Sequence, residues 1–472
     1  MRILLPTGSK AKPLVDSAVR SSGIDAEVRV TGEIASFLTP AMLRRLLRSV
    51  SCDLVIVSGM CTASFAAVEE EFGIPVYRGP RHAADLPLIF SCLDRLTLSR
   101  TVPADELLET RRREEAMARL RDQEETARGD IIIRGVTIGG DSRIRVLAEI
   151  MDAHRHPALR QEVERFFAAG ADIVDLGFGF DASPEDVARA FSLLDDIPGP
   201  LALDSQDPAL IRAGLARADL VLSLQEENIP VVAAEVARAG VAAVVVPGEA
   251  GLEANLAAAA DAGIGPLIAD PLLRPAGSGL VDSLDGFVPC GRPLFFGAGN
   301  VTELIDADSI GVNALLCAMA AECNAAIIFT CEHSDKTRGS VAEMRRATEM
   351  LALARDRPYP KDLGRDLLVI KEKRRRHVPP LTYGRCTDAP PARDELVYDP
   401  LGAVRIGIED GYIVAVHRDC AYRSRSADDL LAALLADGRV SRLDHAGYLG
   451  KELYRAELAL RFDRSFEQDG PF

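Results

Sequence analysis

The sequence has no tryptophan and only seven lysines, Lys10, Lys12, Lys336, Lys361, Lys371, Lys373 and Lys451, among 55 basic residues in 472. Arginine therefore carries nearly all the positive charge, and 71 Asp and Glu outweigh it to a net charge of -16. Binding to a phosphate backbone needs a concentrated basic face, so this balance excludes nucleic acid as the main partner. Long apolar runs are missing too. None approaches the roughly 18 residues of a spanning helix, and the start Met1-Arg2-Ile3-Leu4-Leu5-Pro6 is too short for a secretory apolar core. A cytoplasmic protein with no membrane partner is expected. Cys-x-x-Cys pairs are absent. The nine cysteines are scattered and fit neither a disulfide framework nor a zinc site, so they read as small buried hydrophobes.

What is present is globular: 48% hydrophobic residues over a length that suits two or three domains. Residues 1–102 alternate strand-like runs at 2–6, 27–30, 53–58 and 75–77 with helical periods, which predicts an open α/β domain of Rossmann or flavodoxin-like type. Ligands of such domains sit at the carboxyl ends of the parallel strands. Residues 103–128, rich in Glu, Arg and Ala, read as a solvated, charged connecting helix.

From residue 129 to 357 the rhythm is regular. Strand-like runs at 131–138, 172–176, 200–204, 219–224, 241–246, 266–270, 293–297 and 326–330 each precede a helical pattern. Eight alternations over this length predict a (β/α)8 TIM barrel, with a doubly wound sheet as the rival reading. Residues 358–472 begin with a Pro-rich, basic linker containing Arg374-Arg375-Arg376 and continue into a small α+β module. In that module, strands at 403–408 and 412–417 flank the turn Glu409-Asp410-Gly411. The last helix carries a stripe of Leu449, Leu453, Ala456 and Leu460, suited to docking or to a homodimer.

Barrel chemistry belongs at the carboxyl ends of the strands. The polar residues there are Thr137, Asp175, Asp204-Ser205-Gln206, Ser223, Gln225, Asn228, Glu249, Asp270, Asn300, Glu332-His333 and Asp335-Lys336. Buried carboxylates such as Asp175, Asp204 and Asp270 are costly unless N–H donors or a metal answer them; the ordinary alternative is a helix N-cap. Glu249 reads as solvated, and His154-x-His156 lacks a third metal ligand. In the N-terminal domain, Gly8, Ser9 and Lys10 follow the first strand and are candidates for a phosphate at a helix N-terminus, or for an ordinary turn.

Four segments taken in order resemble the motif series of dihydropteroate synthase and its pterin-binding relatives. They are Gly170-Ala171-Asp172-Ile173-Val174-Asp175-Leu176-Gly177, Pro200-Leu201-Ala202-Leu203-Asp204-Ser205, Ala269-Asp270-Pro271 and Ile328-Phe329-Thr330-Cys331-Glu332-His333. With the C-terminal Ser441-Arg442-Leu443-Asp444-His445-Ala446-Gly447-Tyr448-Leu449-Gly450, the three-part arrangement is similar to the branch associated with tetrahydromethanopterin synthesis. The resemblance implies a pterin ring in the barrel mouth, its guanidine-like edge bonded to Asp204 and Asp270. Ser223, Gln225 and Asn228 are candidates for the polar group after the fourth strand. It further implies Mg2+, through no identified ligands, and a transferase that condenses a dihydropterin-methyl diphosphate with an arylamine. The arylamine is para-aminobenzoate or its ribosyl-phosphate derivative.

This sequence departs from the family at the cations. The strand-seven lysine is replaced by Gly297-Ala298-Gly299-Asn300, and the Arg two residues before the histidine is Cys331. His333 keeps the family position, and Lys336 with Arg338 are candidates for the missing charge at the diphosphate. Asn300 also resembles the strand-seven end of methyltetrahydrofolate-type corrinoid methyltransferases. A methyltransferase and a non-catalytic pterin-binding partner protein are therefore the alternatives.

Overall fold

The computed structural model describes residues 1–356, 359–361, 363–371, 384–389 and 397–470. The Arg374–Arg376 run lies outside the described residues. The chain divides into two compact units, Met1–Pro379 and Pro380–Phe472.

The first unit opens with four parallel strands, β1 (Ile3–Gly8), β2 (Ala26–Gly32), β3 (Leu54–Val57) and β4 (Val76–Arg78), in the order β2-β1-β3-β4. Alternate residues supply two cores. Leu4, Val55 and Val57 pack with Leu43 and Val68 on one face, and Ile3, Leu5 and Ile56 pack with Val15, Leu86 and Phe90 on the other. A parallel sheet covered on both faces produces the continuous apolar runs seen in the sequence.

The helix Ala104–Thr126 is docked rather than solvated. Its Ala116 and Leu120 pack on Ala352 and Leu353. Its Glu124 accepts from Arg143 at 2.9 Å and Arg145 at 3.2 Å. Small alanines and a terminal ion pair attach it, which an apolar-stripe criterion does not detect.

The run 131–138 is not the first barrel strand. It folds back at Arg134-Gly135, both at positive φ, into an antiparallel hairpin of β5 (Ile131–Ile133) and β6 (Val136–Ile138). Ile133 and Ile138 join Leu147, Ile173, Ala202 and Leu220 inside the barrel and plug its amino-terminal end. Thr137 therefore lies away from the mouth, its carbonyl accepting from Arg145 Nε at 2.7 Å.

The closed barrel is β7 (Arg145–Ile150), β8 (Ile173–Gly177), β9 (Leu201–Asp204), β10 (Leu220–Leu224), β11 (Ala242–Val245), β12 (Leu267–Ala269), β13 (Leu294–Phe296) and β14 (Ala325–Cys331). Helices alternate with these strands, as expected for a TIM barrel. At its base Asp172 is bound by Arg143 at 2.7 Å and Arg345 at 3.2 Å, and accepts from the Val146 N–H at 2.8 Å. Burial alone would raise the Asp172 carboxyl; the guanidiniums of Arg143, Arg145 and Arg345 outweigh it and hold it below its ordinary value.

The second unit has three antiparallel strands, β15 (Val404–Glu409), β16 (Tyr412–His417) and β17 (Cys420–Ser424), with helices Ala427–Ala436 and Leu443–Arg461. Leu449, Leu453 and Ala456 of the expected docking stripe cover Val404, Ile406 and Ile413 within this unit. The third strand, rich in polar residues, had no alternating signature in the sequence.

Candidate active site

Because β7 is the first barrel strand, Glu149, which the sequence did not single out, stands at the mouth. Register pairs Glu149 with Asp175 and with Cys331, and Gly177 and Leu222 with Asp204. Carboxylate oxygens of Glu149, Asp175 and Asp204 all lie within 4.8 Å of one another. Glu149 was legible only as a polar residue near the end of the run Val146-Leu147-Ala148, masked by the apolar run of the hairpin before it.

The carboxylates differ in environment. Asp175 is fully buried, and neither of its oxygens has a hydrogen-bond partner among the described residues. Burial, then the charges of Asp204 and Glu149, push it well above its ordinary value. Glu149 is pushed up to about 8 by burial and by Asp204 and Asp152. Asp204 is raised to about 6 by burial. Asp270, at the end of β12, is raised to about 7, mainly by burial and further by Asp204, although the Leu272 N–H donates to its Oδ1 at 2.8 Å. Burial thus raises all four acids of the mouth above their ordinary values, Asp204 least among those with a value.

Such a layer suits two kinds of partner. Ionised Asp204 and Asp270 are acceptors for the parallel N–H groups of a 2-amino-4-oxo pyrimidine edge. The hard oxygens of Glu149, Asp175 and Asp204 also fit a divalent cation of the Mg2+ class.

The loops sort the other candidates. Asn228 is consumed internally: its Oδ1 accepts from the Gln225 N–H at 2.9 Å, and its Nδ2 donates to Ser223 O at 3.0 Å and Gln206 O at 3.3 Å. It clamps the third and fourth loops together and leaves Ser223 and Gln225 nearer to serving a ligand. Asn300, exposed, begins the turn after β13 and reaches back toward Gly297. His333 is exposed, and its N–H donates to Glu303 at 2.9 Å. Glu303 also accepts from Ser334 Oγ and Thr337 Oγ1, both at 2.6 Å, and so pins the eighth loop. Lys336 donates to the Ile305 carbonyl at 2.5 Å and lies 3.5 Å from Asp306. Arg338 is exposed; the Glu162 carboxyl, lowered chiefly by the hydrogen bonds of Arg165, also feels its charge. The acids thus meet in the barrel, while the cations stand on the surrounding loop.

Glu249 is exposed, as expected. His154 is not: its side chain is 6% exposed, stacked on Phe178, with Nε2 3.7 Å from Asp181. In the N-terminal domain, Ser9 N–H donates to Gly32 O at 2.9 Å and Lys10 N–H to Glu33 O at 3.4 Å. Gly8 has no room for a Cβ against Glu33 O and Ala35 N, so its glycine permits a close chain crossing.

Residues 398–469 match the family model described as PterinBD-DUF4346. The chain is 31% identical over 517 aligned positions to the uncharacterized protein MJ0107 of Methanocaldococcus jannaschii, covering 99% of this chain and 98% of that protein. Among solved structures it is similar to a Thermus thermophilus dihydropteroate synthase in complex with 6HMPPP. That match has 22% identity and a TM-score of 0.36, over 44% of this chain and 93% of that one. A Yersinia pestis dihydropteroate synthase with a pterine-sulfa conjugate matches at 20% identity and a TM-score of 0.39, over 48% and 99%.

Proposed function

We propose, from the premise that the chain belongs to a dihydropteroate-synthase-like, pterin-binding family and shares its full length with the Methanocaldococcus jannaschii protein, that its barrel condenses a dihydropterin-methyl diphosphate with an arylamine, in the biosynthesis of a folate-type or tetrahydromethanopterin-type cofactor. The observation that carries this reading is the pair of carboxylates, Asp204 and Asp270, held at the carboxyl ends of β9 and β12 in the barrel mouth. Ionised, they accept the pterin's ring N–H and amino groups and fix the exocyclic methylene above the barrel. Ser223 and Gln225 border the ring, and Asp175 lies beneath it.

In the reaction the arylamine nitrogen forms a bond to the methylene carbon as the carbon–oxygen bond to the diphosphate breaks. The electron pair leaves on the diphosphate, and the surplus N–H proton passes to solvent. His333, Lys336, Arg338 and Asn300 are the candidates for stabilising the departing charge. Lys336 must first release Ile305 and Asp306. Glu149, Asp175 and Asp204 are the residues that would hold a divalent cation of the Mg2+ class, which would supply positive charge to the barrel mouth.

Incubating the purified protein with dihydropterin-methyl diphosphate, Mg2+ and either para-aminobenzoate or its ribosyl-phosphate derivative tests the proposal through pyrophosphate release and coupled product. One observation favours a second reading. With no lysine on β13 and Lys336 engaged elsewhere, the barrel also suits pterin binding without this displacement, as in a partner protein or a corrinoid methyltransferase. Saturable pterin binding with no pyrophosphate release selects that reading, and methyl transfer to a cobalamin carrier selects the methyltransferase.

A further inference from the structure

The N-terminal sheet carries a cavity of about 260 Å3 at the carboxyl ends of its strands. Its place follows from the topology. The chain runs from β1 to β2 on one side and returns to lay β3 and β4 on the other, so the order reverses between β1 and β3. Loops diverge at such a reversal and leave the crevice in which open α/β sheets take ligands.

The floor is apolar: Leu5, Val15, Ile56 and Leu86 are all buried there. At the mouth stand two large apolar side chains left in water, Ile34 at 49% and Met60 at 55% exposure. Both line the crevice and offer apolar surface to a ring that enters it. The polar groups are neutral hydroxyls and balanced charges. Thr7 and Ser58 line the crevice from the ends of β1 and β3. Lys10 Nζ lies 3.5 Å from Glu33, and Arg81 Nε donates to Asp105 at 2.9 Å. The backbone N–H groups of Ser9, Lys10 and Ala11 are spent on Gly32, Glu33 and Gly8 carbonyls, so this turn forms no phosphate cradle.

Glu33 immediately follows β2, and its side chain is 69% exposed at the rim. The tight crossing at Gly8 lays the Glu33 loop directly over the end of β1. A carboxylate in this position of a parallel α/β sheet is suited to accept the two hydroxyls of a ribose. We propose that the cavity binds a ribonucleoside, its fused ring between Ile34 and Met60 and its ribose diol on Glu33, with Thr7 and Ser58 alongside. This site is separate from the pterin chemistry proposed for the barrel.

The test titrates the full-length chain with adenosine, guanosine, 2′,3′-dideoxyadenosine and inorganic phosphate, followed by calorimetry and thermal shift. A ribonucleoside saturating one site per chain is expected, with the dideoxy analogue weaker by about a hundredfold, the loss of two hydroxyl hydrogen bonds to a charged group. Glu33→Gln weakens binding by about tenfold, and Ser36→Phe, which fills the crevice, abolishes it. Glu33 is exposed, so Glu33→Gln keeps the test open even where Ser36→Phe disturbs folding. Pterin binding stays unchanged in both variants. Saturation by phosphate alone, equal binding of the dideoxy analogue, or no response to either ribonucleoside overturns the proposal.

Discussion

Replacing Asp270 by asparagine changes how the stability of the ligand-free protein depends on pH, and the sign can be worked out in advance. Asp270 is 8% exposed, and its carboxyl is raised from 3.8 to about 7, chiefly by burial. Between those values the folded chain keeps a proton that the unfolded chain has released, so stability falls as pH rises through this window. Every pH unit crossed with that one-proton difference costs about 1.4 kcal/mol, so moving from pH 5 to pH 8 removes about 3 kcal/mol through this residue alone. The amide of Asp270→Asn has the same shape as the carboxyl, keeps an oxygen for the Leu272 N–H and cannot ionise. The variant should therefore gain about 3 kcal/mol on the parent between these pH values, with little difference at pH 5. Urea unfolding followed by far-ultraviolet circular dichroism at both pH values measures it; the absence of tryptophan rules out that residue's fluorescence as the probe. Parallel pH profiles for parent and variant would refute the claim that Asp270 is buried as a proton-holding acid.

Asp204→Asn and Asp270→Asn should each weaken pterin binding at pH 8 by about ten- to a hundredfold, since each removes a charged acceptor for N–H donors; calorimetry checks this. Glu303→Ala removes the shared acceptor of the His333 N–H and of the Ser334 and Thr337 hydroxyls, leaving the two hydroxyls only each other and the Ser334 carbonyl. It should raise hydrogen exchange across residues 332–338 while leaving the barrel strands protected. Arg143→Ala removes the nearest of the three guanidiniums around the buried Asp172 and leaves Arg145, Arg345 and the Val146 N–H, so it should cost about 3 kcal/mol in a denaturant titration.

Much of this protein was legible from its apolar runs. Seven of the eight barrel strands lie where continuous Val, Ile and Leu segments put them, because a strand buried on both sides tolerates little else. The first was misread for the same reason. Ile131-Ile132-Ile133 is more apolar than Arg145 to Ile150, yet Arg134-Gly135 turns it into a plug. The true strand carries Arg145 into the ion-pair group at its base and Glu149 into the mouth. Functional demands lowered the hydrophobicity that would have revealed it. Asp175, Asp204 and Asp270 were legible because a carboxylate ending an apolar run contradicts its surroundings. The position of Lys336 was not, since only the folded loop shows that its ammonium meets the Ile305 carbonyl. Asn228 looked like a ligand for the same chemical reason that it became a clamp: an amide offers both donors and an acceptor.

The acidic mouth also reframes the scarcity of lysine. At formal charge, four carboxylates there would repel a diphosphate-bearing substrate, and a chain at -16 offers little to offset them. Burial lessens the conflict by holding protons on the acids: about 8 for Glu149 and about 7 for Asp270, with Asp175 raised as well, leave the resting mouth well short of its full negative charge near neutrality. A ligand bringing N–H donors reverses this at the residues it touches, because a donor favours the ionised carboxylate and lowers its pKa. Pterin binding should then release protons near pH 6, where Asp204 and Asp270 are still partly protonated, and fewer near pH 9, where they are already ionised. Calorimetry in buffers of different ionisation enthalpy counts those protons. A proton count of zero at pH 6 would mean that the ring does not rest on these acids, and the assignment of Asp204 and Asp270 would fall with it.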